Sequence, residues 1–487
     1  MARLLGSSLL LVAGMAASYL LGFLVRVVAA RWLGVSGYGV LNTILAFLSF
    51  VSMVAMLGLR DSLAREVAYL RTKGWEAGGV ILGALYVSAL SSLLLAFAIA
   101  ACSSGLSSLL GIGGYAWLLA VASLSLPFMV LLEVVVAVAR AYGRVLEKAL
   151  VRDIGVNILW LVGSLALLWR GAGLSGVVAS YIFSYAAGLF AVAAMLARAG
   201  LLPRPRPVEL AVVKRLLAFS LPLLVAGLTN TVMTYTDTVM LGALSGPTAA
   251  GIYNAGAPVA RALTLFLAAA GYLALPLFSR LYARGEVDSL RRAYAVSAKW
   301  IYVATYPAAA LLVVTPSTVL GFLFGKAYLG ASLALAVLSA GFMVHVVMGL
   351  NGVALVALGE SRAIMGVTVL AAFVNVVLNV ILISIMGVVG AAAATAASYV
   401  VANALTSLWL YRKAGIHPFS RGYVAVLAAS IALAPAIRLA AGHGATATVA
   451  AAAAAAVAVA AVGLASADTY EKSLIRSALG KHVFTGL

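Results

Sequence analysis

Five charged side chains stand inside long apolar runs of this sequence: Arg26, Glu133, Asp237, Arg261 and Arg438. A charge near the centre of a bilayer costs about 2.5–3.5 kcal/mol on insertion scales, so each must face a cavity or a partner. Arginine presents a planar fork of donors suited to phosphate oxygens. Arg261 lies too deep in its run for easy snorkelling, and Arg26 is shallower; both are candidates for binding an anion, with a structural ion pair as the alternative. Arg438 is within a turn of the end of its run and is expected to snorkel to the surface. The carboxylates offer the opposite chemistry. Three roles are open to Asp237: a latch to either arginine, a cation site, or a satisfied structural carboxylate. Glu133 is expected to pair with Arg140 or a neighbour of Arg26, or to bind a coupling ion. His345 is the one histidine inside an apolar run, as a proton or substrate contact or as an interhelical hydrogen bond. Asn230, Tyr235 and Asn254 are polar enough to line the same cavity, although hydrogen bonding between helices is the commoner use of such residues. Arg60 and Arg140, at the mouth of the apolar region, are the next candidates for an anion.

Enzyme and metal chemistry find no support. No loop exceeds about twenty residues, which leaves no room for a soluble catalytic domain. Gly321–Lys326, GFLFGK, has the wrong spacing for a phosphate-binding loop, and no Ser or Thr follows its lysine. His345, His417, His443 and His482 are scattered, without carboxylate or thiol partners at ligand spacing. Cys102 is the single cysteine, so no intramolecular disulfide forms. No cofactor is expected; a coupling Na⁺ or H⁺ is left open.

The elements that must position these residues follow from composition. Hydrophobic residues make up 65% and charged residues 9% of the 487, against about 45–50% and about 25% in soluble domains. Apolar runs long enough to cross a bilayer as helices recur throughout. They are expected near 6–30, 39–59, 77–101, 115–139, 153–169, 174–197, 216–242, 251–278, 298–320, 331–357, 363–386, 388–410, 422–441 and 446–465. The first run contains Arg26 and lacks a small-residue cleavage site, so it reads as a span rather than a signal peptide. With the N-terminus inside, 26 of the 32 Lys and Arg fall on cytoplasmic segments, and only Arg31, Arg170 and Lys326 fall in outer loops. That asymmetry orients a multi-pass protein of the cell membrane with both termini cytoplasmic. The net charge of +19 is thereby assigned to topology and anionic headgroups, not to nucleic acid.

The chain also repeats. Phe128-Met129-Val130 matches Phe342-Met343-Val344, Gly173 to Gly176 matches Gly387 to Gly390, and Ser184-Tyr185 matches Ser398-Tyr399, all at one offset. The turn Tyr142-Gly143-Arg144 has its counterpart in Leu358-Gly359-Glu360. The predicted architecture is all-α, about fourteen transmembrane helices in two six-helix bundles, 1–200 and 216–411. A Pro-rich cytoplasmic linker, 201–215, joins them; an added pair, 422–465, and a cytoplasmic tail, 466–487, follow. Six helices per half gives parallel repeats and predicts a central site between them.

Several stretches carry a family resemblance: Arg26 with ARWLGVSGYG, LGLRDSLAREVAYL, SLPLL…DTVMLGAL…GIYNA, LPLFSRLYARGE and FGKAYLGASLALAVLSAG. Over residues 1 to about 410 the chain resembles polysaccharide and lipid-linked oligosaccharide flippases of the multidrug/oligosaccharidyl-lipid/polysaccharide exporter superfamily. The resemblance implies a V-shaped pair of bundles that moves a lipid-linked sugar by alternating access, with arginines in a central cavity. Arg26 matches a first-helix arginine that related lipid II flippases use in this way. Arg261 lies in the corresponding eighth helix, though its spacing to Leu275-Pro276 is about one turn shorter than in those proteins. The partners implied are the lipid-linked oligosaccharide, membrane lipids and polysaccharide-assembly enzymes.

Three functions compete. The first is a flippase for an anionic oligosaccharide lipid on a polyprenyl-phosphate type of carrier. The second is a cation-coupled multidrug exporter of the same fold. The third, a membrane glycosyltransferase or polymerase, needs a long acidic loop at one membrane face, and none is present. Cavity sign separates the first two. Drug exporters tend to carry an acidic residue in the first helix, where this chain has Arg26.

Overall fold

The computed structural model describes residues 2–144, 146–469 and 471–472, with side chains from residue 14 onward except residue 15. The Arg3 side chain, Arg476, Lys481, His482 and most of the expected tail 466–487 lie outside what is described. Among the described residues every regular element is helical. Eleven helical stretches are long and apolar enough to cross a membrane.

Three of the eleven are double. The helices α1 (Ala2–Ala55), α9 (Leu210–Arg261) and α15 (Ser361–Ala414) each run through one non-helical glycine: Gly34 (φ 68°, ψ 179°), Gly246 (φ 83°, ψ 172°) and Gly387 (φ 54°, ψ −124°). A residue with a Cβ rarely adopts these angles, so glycine marks where the helix axis can change direction. Each break falls where two expected spans meet. Local geometry also repeats. The amide of Gly143 donates to the Arg140 carbonyl and that of Arg144 to Ala139; Gly359 to Val356 and Glu360 to Leu355 repeat the pattern at the counterpart turn.

Contacts divide the chain into two compact units. The first comprises Met1–Ala255, Phe324–Tyr328 and Val376–Ala391; the second comprises Gly256–Leu323, Leu329–Asn375 and Ala392–Leu487. This partition differs from the repeat-based halves, because contact and internal symmetry are different properties. The first unit holds α1, α2 (Leu59–Thr72), α3 (Gly78–Ala101), α4 (Ser103–Leu109), α5 (Ala116–Ser123) and α6 (Ser125–Ala141). It continues with α7 (Val156–Trp169), α8 (Gly173–Arg198) and most of α9. Its core packs Leu59, Leu63 and Val67 of α2 against Val135 and Val138 of α6 and Val192 of α8. Two glycines let α1 and α9 approach closely: a Cβ at Gly39 would overlap the Pro247 carbonyl, and one at Gly251 would overlap that of Val35. The two contacts are reciprocal.

The second unit holds α10 (Leu265–Ala283), α11 (Val287–Val314), α12 (Pro316–Leu323), α13 (Ser332–Met348), α14 (Asn351–Ala357), both ends of α15, α16 (Arg421–Ala441) and α17 (Ala445–Ala465). Its core is rich in tyrosine, with Tyr294, Tyr302, Tyr306 and Tyr423 buried among Phe278, Leu290 and Val459. The Tyr302 hydroxyl meets Ser430 Oγ at 2.6 Å, which ties α11 to α16. The alanine-rich α17 buries Thr448, Ala452, Ala455, Val459 and Gly463, one face at helical spacing. Its weak hydrophobicity is therefore supported by packing on α11 and α16.

Two helix starts differ from expectation. The span expected at 153–169 begins earlier, in a π-helical segment Glu147–Gly155, and the span expected at 298–320 begins with α11 at Val287. Each takes cations expected in loops into helices. Lys299 becomes wholly buried, and its Nζ donates to Glu471 Oε2 at 2.7 Å. Hydropathy averages ended the spans at these charges, whereas pairing lets the helices continue through them.

Candidate substrate cavity

The first unit contains a cavity of about 270 Å³ whose walls come from α1, α2, α6, the π segment, α7, α8 and α9. Its charged centre is Glu133 on α6. Arg152 Nε donates to Glu133 Oε1 at 2.6 Å, and Arg60 Nη1 stands 3.8 Å from Oε2. Arg152 reaches this position through the π segment, in which each turn holds extra chain and rotates the following side chains relative to an α-helix. The Lys148–Asp153 pair at 2.6 Å spans five residues, as that winding allows. Breaks of this kind recur at functional sites in other proteins.

Arg26 supplies the third guanidinium. Its Nη1 donates to Asn42 Oδ1 at 3.3 Å, across the Gly34 break within α1. Asn42 Nδ2 donates in turn to the Tyr38 carbonyl at 2.7 Å, and the buried Tyr38 hydroxyl donates to the Asn254 carbonyl at 3.3 Å. Among the described residues no carboxylate stands within ion-pair distance of Arg26, whose partners are neutral: the Asn42 amide and the Tyr38 hydroxyl. Among the residues that line the cavity, three guanidiniums stand against one carboxylate; outside the lining, Asp61 lies 3.6 Å from Arg60 and Asp153 3.9 Å from Arg152. Aromatic rings form another wall: Trp160 lies 5.0 Å from Tyr181, Tyr181 lies 4.9 Å from Tyr185, and Tyr235 and Thr231 of α9 also line the cavity. Such a surface can hold phosphate oxygens by charge-assisted hydrogen bonds and a polar ring by stacking and hydroxyl contacts.

The structure brings together Arg26, Arg60, Glu133 and Tyr235 from among the residues singled out in the sequence. It adds Arg152, which had been counted as a loop cation. The others are placed elsewhere. Arg140 donates to the Arg60 carbonyl at 3.1 Å and pairs with Asp61 at 3.4 Å, so Glu133 has Arg152 and not Arg140 as its near partner. Asn230 donates to the Ala226 carbonyl of its own helix at 3.2 Å. Asn254 is buried and bonded to Thr238 and to the Ala250 carbonyl.

Asp237, also buried, accepts from the Tyr253 hydroxyl and from Asn379 Nδ2 at 2.7 Å. One carboxylate thus ties the two limbs of α9 and the first limb of α15 within the first unit. In the second unit, His345 Nδ1 meets Asn403 Oδ1 at 2.9 Å, and Asn351 Nδ2 donates to the same oxygen at 3.1 Å. His345 and Asn351 line a separate cavity of about 410 Å³ beside the helix break at Gly349. Arg261 ends α9, in the second unit. Arg438 donates to the Val314 carbonyl at the end of α11 at 3.2 Å.

Comparison with known proteins agrees with this architecture. The family described as "Polysaccharide biosynthesis protein" matches residues 4–282. The chain is 25% identical over 385 residues, 78% of each chain, to the "Probable low-salt glycan biosynthesis flippase Agl15" of Haloferax volcanii. The solved structure of the lipid II flippase MurJ in an inward closed conformation superposes with a TM-score of 0.73, covering 95% of this chain and 99% of that one at 15% identity. An inward-facing multidrug resistance MATE family transporter of the MOP superfamily superposes with a TM-score of 0.65, covering 82% and 94% at 16% identity. These likenesses establish the fold.

Proposed function

We propose, for a chain that belongs to the polysaccharide biosynthesis protein family, that it is a flippase carrying an anionic lipid-linked oligosaccharide from the cytoplasmic to the outer leaflet of the cell membrane. The observation that carries this reading is the excess of guanidinium over carboxylate in a cavity built from membrane-spanning helices. Hydrocarbon opposes passage of a phosphorylated headgroup. Arg26, Arg60 and Arg152 replace its lost hydration, and Arg261 is a further candidate cation for the substrate. At about 270 Å³ the cavity sits just below the usual small-ligand range of about 300–1,000 Å³. It suits the phosphates and the sugar next to them, not a whole glycan. An inside-negative potential favours export of each negative charge by about 2.3 kcal/mol per 100 mV.

Glu133 acts as an internal counter-ion, holding Arg152 and Arg60 until phosphate oxygens take its place. Asp237 is a gating residue: its hydrogen bonds fix the limbs of α9 and α15 in one arrangement, and their loss on opening is the switch. His345 is a polar contact or a proton site in the second unit. The two six-helix repeats, joined by the linker 201–215, rock about the substrate, and both termini face the cytoplasm. A multidrug exporter of the same fold is favoured by the MATE resemblance, but a cationic drug needs carboxylate in excess. Binding of lipid pyrophosphate and of a lipophilic cation to the reconstituted protein separates the two. The flippase reading expects the first to bind and the second not to compete. Topology is checked by labelling: cysteines at Ser36 and Ser245 react from outside, and one at Arg204 only after permeabilisation.

A further inference from the structure

The second unit has an open groove of about 880 Å³ between the two ends of α15, near Ser361 and near Ala414. Its floor is apolar: Leu370, Leu408 and Trp409 are all nearly half exposed although they lie on membrane-spanning helix. Gly366 faces the open space of the groove; a Cβ built there would meet nothing within 4 Å. At its mouth stand Glu360, Arg362, Arg412 and Lys413. Lys413 Nζ is bound to Glu360 Oε1 at 2.8 Å, which neutralises that pair. Among the described residues no carboxylate lies within ion-pair distance of Arg362 or Arg412. Two uncompensated guanidiniums therefore flank an apolar slot at the two ends of the long apolar α15, where charged side chains replace apolar ones.

We propose that this groove is a binding site for an anionic phospholipid of the surrounding leaflet, with the phosphate between Arg362 and Arg412 and an acyl chain along Gly366, Leu370 and Leu408. Three features single out this occupant. The floor is apolar enough for a chain, the rim has the sign and fork geometry for a phosphate, and basic pockets between membrane helices commonly take anionic lipid headgroups. Trp409 suits the interface, where its ring is anchored among headgroups. The site is distinct from the cavity in the first unit and shares no residue with it.

Native mass spectrometry of the full chain, released from nanodiscs of phosphatidylcholine with increasing phosphatidylglycerol, tests this. The wild type should retain a phosphatidylglycerol adduct. Arg362→Gln with Arg412→Gln should weaken retention about thirtyfold, the equivalent of about 2 kcal/mol for two interfacial cations. Gly366→Trp should abolish it by filling the slot. Arg280→Gln with Arg284→Gln removes two exposed cations outside the groove and should leave retention unchanged. An equal loss in that control would show general surface electrostatics and overturn the site. So would retention by Gly366→Trp, or displacement of the adduct by a polyprenyl-linked glycan, which would make the groove a substrate path. Should Gly366→Trp fail to insert, the two double variants decide the matter between them.

Discussion

The cavity around Glu133 and the cavity beside His345 differ in one respect above all. The cavity of the first unit is charged, with Arg26, Arg60 and Arg152 around Glu133; the cavity beside His345 in the second unit is lined by no charged residue, only by Thr264, Tyr272, His345 and Asn351 among its polar groups. Both lie on helices that cross hydrocarbon, where fixed charge is costly. Charge has thus been concentrated at one place, and polar hydrogen bonding suffices at the other. The difference supports the proposal that the first cavity takes an anion, whereas the second offers only hydrogen bonding and apolar contact. It also explains the broken elements beside each: a π turn aims Arg152 at Glu133, and Gly349 interrupts the helix that carries His345.

The largest expected effect comes from breaking the charged centre. Arg152→Ala leaves Glu133 with only the more distant Arg60; breaking a fully buried pair costs about 3–5 kcal/mol, and the partial exposure of Arg152 (28%) and Glu133 (12%) lowers that figure here. Thermal unfolding in detergent should show a clear loss of stability. Glu133→Gln with Arg152→Gln should recover most of it, because both charges go together. If the double variant is as unstable as the single one, the pair is not the structural unit described.

Smaller effects are expected at the closure between α1 and α9. Gly39→Val or Gly251→Val puts a side chain where a backbone carbonyl now lies. After replacement of Cys102, the single and exposed cysteine, a reporter cysteine at Thr231 should react faster from outside in either variant. Asp237→Asn, which weakens the bonds to Tyr253 and Asn379, should shift the same labelling in the same direction. Unchanged labelling in all three would mean that these contacts do not hold the outer side closed.

The smallest effect sharpens the contrast from the neutral side. His345→Ala removes a hydrogen bond to Asn403, and such bonds average about 0.6 kcal/mol between membrane helices. Transport of the anionic substrate should fall by no more than about threefold. A loss as large as that from the arginines would make the two cavities equal partners in binding.

Much of this was legible in the sequence, for reasons that can be named. Arg26, Glu133 and Asp237 interrupt apolar runs, so hydropathy exposes them, and Gly34, Gly246 and Gly387 mark breaks because glycine alone tolerates those angles. Arg152 was hidden. It lies among Lys148, Asp153 and Arg144, which reads as a loop, and only pairing in three dimensions with π winding carries it into the helix. Lys299 was hidden in the same way by its partner Glu471, far along the chain. Asn254 shows the converse limit: its polarity suggested a cavity wall, and it serves Thr238 and the helix backbone instead. Periodicity finds a charge in hydrocarbon, but the partner that stabilises it is a long-range fact.

The central claim is that guanidinium excess around Glu133 holds the substrate's phosphates. Its most direct test is flipping of a polyprenyl-pyrophosphate-linked sugar by the reconstituted Arg26→Gln, Arg60→Gln variant, which leaves Arg152 balanced by Glu133, beside the wild type. Insertion and unfolding temperature are matched first. The account predicts at least a tenfold loss, about 1.4 kcal/mol of binding, with Arg26→Lys, Arg60→Lys, which retains the charges without the forks, falling between the two. Flipping at the wild-type rate by the double variant would contradict it and place the headgroup elsewhere.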